Sequence, residues 1–113
     1  MALIYVASAY TASTEAEIFL NVDHAINTGI MLHQKGHVPF IPHLTKMVSD
    51  YHRRMNMEDL QWEDYMHWCL ESLKRCDALY YLSSSRGADI ELEYAKITAM
   101  PIYYNIEDVP NHK

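Results

Sequence analysis

Ser83-Ser84-Ser85-Arg86-Gly87-Ala88-Asp89-Ile90-Glu91-Leu92-Glu93-Tyr94-Ala95 is the stretch that decides the fold. Before it stands a short apolar run, Ala78 to Leu82, that reads as a buried strand. The run stops at small polar residues able to turn the chain and present backbone amides to a ligand. A helix follows. Asp89, Glu91 and Glu93 fall in its first turns, where partial positive charge and unpaired N–H groups suit acidic side chains. Two readings are open at this point: carboxylates that only stabilise a helix start, or carboxylates that face a ligand.

Toward the N-terminus, Leu3 to Ala7 is another strand-forming apolar run, followed by the small-residue loop Ser8 to Thr14. From Glu15 to Lys35, Phe19, Val22, Ile26 and Ile30 recur at helical spacing, in an amphipathic helix capped by Ser13 or Thr14 and stopped at Gly36. His37 to Ile41 reads as a second strand, which Pro39 confines to an edge or a strand end because proline lacks a ladder donor. His43 to Asn56 is the least regular segment, read as a loop with at most one helical turn and a basic character from Lys46, His52, Arg53 and Arg54. A strong helix pattern covers Glu58 to Arg75, with Trp62, Met66, Cys69, Leu73 and Cys76 on one face and Asn56 as the cap. Asp77 to Leu82 makes the third strand, Ile90, Tyr94 and Ile97 mark the apolar face of the last helix, and Pro101 to Tyr104 makes a fourth strand. The tail, Asn105 to Lys113, is polar and expected to be loosely held.

Strands alternating with helices of this length imply parallel βαβ units with right-handed crossovers. The expected fold is therefore α/β: one domain over residues 1–113, a small doubly wound, flavodoxin- or Rossmann-like parallel sheet of four to five strands with helices on both faces. Such sheets bind ligands outside the carboxyl ends of their strands, at the point where strand order reverses. The loops at that edge are Ser8 to Thr14, His43 to Asn56 and Ser83 to Ala88.

Composition narrows the function. A chain of 113 residues, half of them apolar, suits one core and excludes long disorder. A net charge of −6 argues against a polymeric nucleic acid, whose phosphates demand a basic stripe, but leaves a mononucleotide open. No apolar stretch approaches the roughly 20 residues that span a bilayer, and the N-terminus lacks a signal-peptide layout. A cytoplasmic protein without a membrane partner is the expectation. Cys69 and Cys76, about two turns apart on one helix face, are too distant for a disulfide and read as reduced.

Convergence of the three loops gathers Ser8, Tyr10, His43, Arg53 or Arg54, Ser83, Ser85, Arg86, Asp89 and Glu91. Glu91, near a helix start, is expected to keep a low pKa and so to attack or stabilise an electron-poor carbon rather than donate a proton. The Ser-rich loop with Arg86 suits a small anion or a sugar's hydroxyls. It lacks the lysine and glycine spacing of a Walker loop, and Ser8 to Thr14 lacks dinucleotide-binding glycines, so no cofactor is expected. Nor is a metal: Gly36 separates His33 and His37 from one continuous helix, and neither HExxH nor paired Cys-x-x-Cys occurs. Trp62 and Trp68 read as core or subunit-contact residues, either of which could wall a base-binding pocket because indole stacks on heterocycles.

The residues resemble those of the nucleoside 2-deoxyribosyltransferase-like superfamily, which includes small deoxynucleoside-monophosphate N-hydrolases. IYVASAYT, residues 4–11, resembles its first strand and small-residue turn. CDALYYLSSSRGADIELEYA, residues 76–95, is similar to its Asp-led apolar strand, Ser/Gly loop and Glu-Leu-Gly-x-Ala helix opening, and AMPIYY, residues 99–104, resembles its short final strand. The resemblance implies that Glu91 attacks or stabilises the sugar C1′ as the N-glycosidic bond of a nucleoside or nucleoside 5′-monophosphate breaks. It implies that Ser85 and Gly87 hold sugar or phosphate, that Ser8 and Tyr10 supply first-loop contacts, and that the protein is a homo-oligomer whose neighbouring subunit completes the pocket. Two departures stand out. Glu93 replaces the family glycine two positions after the glutamate, where it would crowd the site or add a carboxylate. The acidic partner that handles the leaving base has no counterpart by spacing, with Asp64, Asp77 and Asp89 as candidates; Asp77 belongs to the opposite sheet edge, so Asp89 is the preferred second carboxylate. Arg53, Arg54 and Arg86 favour phosphorylated substrates and hence hydrolysis. The departures also leave open a non-catalytic nucleotide-binding, sensing or adaptor domain on the same fold.

Overall fold

The structure, a computed structural model, describes residues 1–112. β1 (Leu3–Ala7) lies inside an all-parallel sheet ordered β2-β1-β3-β4, with β2 at Val38–Phe40, β3 at Ala78–Tyr81 and β4 at Ile102–Tyr103. Ile4 to Ala7 are fully buried because both faces of the sheet are covered, the usual condition of parallel sheets. The α/β, doubly wound expectation holds, with four strands. Pro39 sits in β2, an edge strand, where its missing donor breaks no inner ladder.

Strand parity divides the core. Ile4 and Val6 point to the face covered by α1 (Glu15–Gln34), where they meet Ala25 and Leu32. Tyr5 and Ala7 point the other way, to the face covered by α3 (Trp62–Leu73) and α4 (Arg86–Ile97), among Leu73, Leu79, Ala88 and Ala95. From β1 the chain steps outward to β2, then crosses back over β1 to β3. That reversal opens a crevice above the C-terminal ends of β1 and β3.

Local sequence explains most boundaries. Thr14 caps α1 by accepting from the Glu17 amide at 3.2 Å. Gly36, at φ +91°, turns the chain into β2 through the left-handed region that glycine tolerates. Four expectations need correction. The segment His43–Asn56 is a 3₁₀ turn (Pro42–Thr45) leading into α2 (Lys46–Arg54), a full nine-residue helix. Its pattern was hard to read because it is inverted: Lys46 is buried while Met47 and Tyr51 are exposed. Lys46 keeps its charge inside by pairing with Glu15 at 2.7 Å and Asp50 at 2.9 Å, which ties α2 to the start of α1.

Asn56, expected to cap the third helix, instead follows the end of α2 in a left-handed conformation (φ 53°). α3 starts only at Trp62, where the Asp64 carboxylate accepts from the Gln61 amide at 2.9 Å. Because α3 ends at Leu73, Cys76 lies beyond it rather than on a shared face with Cys69; both are free thiols. Finally, the tail is held. Val109 joins the α1-side core, the Lys35 ammonium donates to its carbonyl at 2.9 Å, the His112 amide donates to the Lys35 carbonyl at 2.7 Å, and the His37 ring bonds the Pro110 carbonyl at 2.6 Å. The part of that expectation that falls on Lys113 lies outside the described residues. Among the described residues no helix is long and apolar enough to cross a membrane.

Candidate active site

A cavity of about 480 Å³ opens at the crevice, within the usual size of small-molecule sites, roughly 300–1,000 Å³. β1 contributes Tyr5 and the following loop Ser8, Tyr10 and Thr11; α2 and the segment after it contribute Ser49, Asp59 and Leu60. α3 supplies Trp62, Tyr65, Met66 and Cys69, and the start of α4 supplies Arg86, Gly87, Ala88 and Glu91, with the capping residue Ser85 beside them.

Glu91 lies in the second turn of α4 and is only 5% exposed. Its carboxylate accepts a hydrogen bond from the Tyr5 hydroxyl, and the Tyr5 ring is fixed by stacking on Phe40 at 5.6 Å. The expectation of a low pKa is corrected. Burial pushes the Glu91 carboxyl up to about 7, and the Tyr5 hydrogen bond pulls the other way without cancelling that desolvation. Macrodipole stabilisation fades beyond the first turn, whereas loss of water acts on the whole carboxylate. Burial and the neighbouring Glu91 charge raise the Tyr5 phenol well above its ordinary value, so it stays a donor. Cys69, also beside Tyr5, is pushed up to about 11 by burial and is a neutral thiol.

Asp89 and Glu93 do not join Glu91. Residues two apart on an α-helix are separated by about 200° around its axis and so face opposite ways. Asp89 turns outward, accepting from the Tyr81 hydroxyl at 2.7 Å and the Ser84 hydroxyl at 2.8 Å, which hold its carboxyl below the usual range. Glu93 is exposed, so the crowding expected from it does not arise. The second carboxylate in the cavity is Asp59. The Ser49 and Tyr65 hydroxyls donate to it, each at 2.5 Å, and the Leu60 amide at 2.7 Å. Those donors, the serine foremost, keep it below the usual carboxylate pKa.

The remaining expected residues divide between lining and support. Ser8, Tyr10, His43, Ser85, Arg86 and Gly87 line the cavity. Ser83 lies just outside it, its hydroxyl 3.2 Å from that of Ser8 and accepting from the Ala9 amide at 3.0 Å. Ser85 caps α4 by accepting from the Ala88 amide at 3.1 Å. The Arg86 guanidinium stacks over the Trp62 indole at 4.2 Å. A side chain at Gly87 would press on the Met66 sulfur at 3.1 Å, so the bare backbone allows α4 to close on α3. Arg53 is drawn to Glu15 and Asp50, and Arg54 lies over Tyr51. Neither lines the cavity, which among the described residues leaves Arg86 as its cation. Among the described residues no group of His, Cys, Asp and Glu converges as a metal site would require.

A family model described as a domain of unknown function, DUF4406, matches residues 4–104. The chain belongs to that family. This DUF4406 chain also superposes on the solved structure of a 2-deoxyribosyltransferase from the psychrotolerant bacterium Bacillus psychrosaccharolyticus with a TM-score of 0.60, over 98% of this chain and 92% of that one. At 16% identity the likeness is one of fold, the fold expected from the motifs around Glu91. No curated protein matches the DUF4406 chain in sequence.

Tyr5 and Asp59 were not recognised as site residues in the sequence. Period-2 parity within Leu3–Ala7 carried a signal for Tyr5, since every second residue shares a face, but which face α4 covers is a tertiary fact. Asp59 sits in an irregular connection between α2 and α3, where no periodicity points anywhere.

Proposed function

We propose that this protein cleaves or exchanges the N-glycosidic bond of a nucleoside or nucleoside 5′-monophosphate. One observation carries the reading: Glu91, buried on the cavity floor, is held by the Tyr5 hydroxyl with its carboxyl near neutrality. The likeness in fold to a 2-deoxyribosyltransferase supports it.

The ionised Glu91 forms a bond to C1′, or stabilises the cation there, as the C1′–N bond breaks and its electron pair leaves with the base. Because Glu91 is itself buried, a fixed carboxylate there beside developing positive charge is worth more than in solution. Water, or an N–H nitrogen of a second base, then attacks C1′, the bond to Glu91 breaks and returns the carboxylate, and the proton the nucleophile loses goes to the base that has left. Tyr5 orients Glu91 and favours its charged form. Asp59, ionised and held by three donors, accepts N–H groups of the base, while Tyr10, Trp62 and Tyr65 give it aromatic walls. Arg86, beside the Ser85-capped helix start, faces a phosphate or the sugar hydroxyls.

Assembly with further copies of the chain belongs to the same proposal. Its support is the apolar stripe of Leu44, Met47, Tyr51 and Met55, exposed on and beside the helix that walls the cavity.

The test is chromatographic detection of free base from a panel of deoxynucleosides and their 5′-monophosphates, with and without an acceptor base. Base release that falls about 1,000-fold or more in Glu91→Gln supports the reading, as expected for loss of a nucleophile. No release from any substrate, or full activity in Glu91→Gln, refutes it.

A further inference from the structure

The loop after β1 is held by three separate elements at consecutive backbone groups. The Ala9 amide donates to the Ser83 hydroxyl at 3.0 Å, from the loop after β3. The Ala9 carbonyl accepts from Nε2 of His43 at 3.1 Å, from the 3₁₀ turn after β2. The Tyr10 carbonyl accepts from the Asn21 side-chain amide of α1 at 3.0 Å. The Ser8 and Ser83 hydroxyls meet at 3.2 Å beside them. Both backbone polar groups of one residue, Ala9, are thus gripped from opposite sides of β1, and the residues flanking it, Ser8 and Tyr10, line the cavity.

His43 is an expensive way to hold a loop. It is 3% exposed, and its Nδ1 is buried without a hydrogen-bond partner among the described residues. An unpaired buried polar nitrogen costs on the order of 1–3 kcal/mol, where an aromatic hydrocarbon of similar shape would cost nothing. The nitrogen facing a carbonyl must carry the proton, so Nε2 is the donor and Nδ1 the lone pair left over. Burial lowers the His43 pKa, which keeps the ring in this neutral form. What the imidazole supplies in return is one directed donor to Ala9, with its ring set against Tyr10 at a centroid distance of 6.1 Å.

We propose that His43 and Ser83 are positioning residues, a two-sided clamp on the Ala9 backbone that presents Ser8 and Tyr10 to the sugar. This rests on the proposed glycosidic reaction for its consequence, but the clamp has its own readout. A loop held at both backbone groups of one residue loses little conformational freedom on binding, so its geometry toward C1′ is set beforehand.

The experiment compares wild type with His43→Phe, His43→Gln, Ser83→Ala and the His43→Phe/Ser83→Ala double variant. Phenylalanine keeps the ring and removes the donor; the glutamine side-chain amide reaches about as far as Nε2 and restores it. Expected are thermal midpoints for His43→Phe within a few degrees of wild type, Ala9 amide exchange accelerated about tenfold or more in His43→Phe and in Ser83→Ala, and kcat/KM lowered about tenfold in each. His43→Gln recovers most of both losses, and the double variant falls no further than about the worse single, the non-additivity of groups that act on one residue's backbone. Unchanged Ala9 exchange in both single variants, or a His43→Gln that behaves as His43→Phe does, overturns the clamp. Failure of the glycosidic reading is separate: wild type then releases no base from any substrate, and the clamp is judged on Ala9 exchange alone.

Discussion

Removing one oxygen, in Tyr5→Phe, tests how the buried carboxylate is kept usable. The Tyr5 hydroxyl is the hydrogen-bond donor to Glu91, and it opposes the burial that raises the carboxyl to about 7. A hydrogen bond to a charged group is worth roughly 1.5–3 kcal/mol, or about one to two pKa units at 1.36 kcal/mol each. Its loss therefore moves the Glu91 midpoint up, to about 8 or 9. At pH 7 the ionised fraction falls from about one half to between one tenth and one hundredth, so kcat/KM at that pH drops about 5- to 50-fold. The phenyl ring still stacks on Phe40, so the fold has no reason to change. Two assays report on it. The pH profile of kcat/KM rises with an apparent pKa of about 7 in wild type and is displaced to higher pH in the variant. A ¹³C titration of the glutamate carboxyls follows the same group without any turnover. A Tyr5→Phe midpoint equal to or below that of wild type would refute the reasoning.

Other outcomes follow from the same geometry. The folded Glu91 pKa is above the ordinary 4.5 of a glutamate, so the folded state binds the proton more tightly and loses stability as pH rises from there to about 7. Glu91→Gln, which cannot ionise, should melt several degrees above wild type at pH 8 and close to it at pH 4.5; equal melting at both pH values would show that the carboxyl is not buried. Asp59→Asn keeps the shape but turns an amide toward the Ser49 or Tyr65 hydroxyl, and KM for the base-bearing substrate should rise about tenfold, measured by initial rates. Gly36→Ala places a Cβ 1.9 Å from the His112 carbonyl oxygen at a positive φ, and should cost about 1–3 kcal/mol in urea unfolding. A cost near zero would mean that the tail is not seated on the turn. If copies assemble through the apolar side of α2, Met47→Glu will lower the mass measured by light scattering; a wild-type mass of 13.2 kDa would exclude assembly.

The fold was legible because its signals are local. Apolar runs of strand length alternating with helical patterns, the first entered at Ser13 or Thr14 and stopped at Gly36, leave one economical arrangement, a parallel sheet covered on both faces, and the ligand edge follows from strand direction. α2 was not legible, since its exposed face is apolar and its buried residue is a lysine neutralised by partners on α1 and on its own next turn. The seated tail was hidden for a related reason, its anchors being backbone carbonyls, which carry no mark in a sequence.

Within the site the division runs through Ser83 to Ala95. The sequence by itself determined that Glu91 stands near a helix start at the sheet's ligand edge, while the expectation that Asp89 would be its partner carboxylate and Glu93 would crowd the site gave way to the structure, in which both face away from it. Tertiary structure alone decided how deeply Glu91 is buried, that Tyr5 arrives from β1 to bond it, and that Asp59 comes from a connection without periodicity to supply the second carboxylate. The pKa of Glu91 illustrates the reason. A helix-start position argues for an ionised group, but desolvation depends on what the rest of the chain packs around the carboxylate, and here that burial raises the carboxyl to about 7.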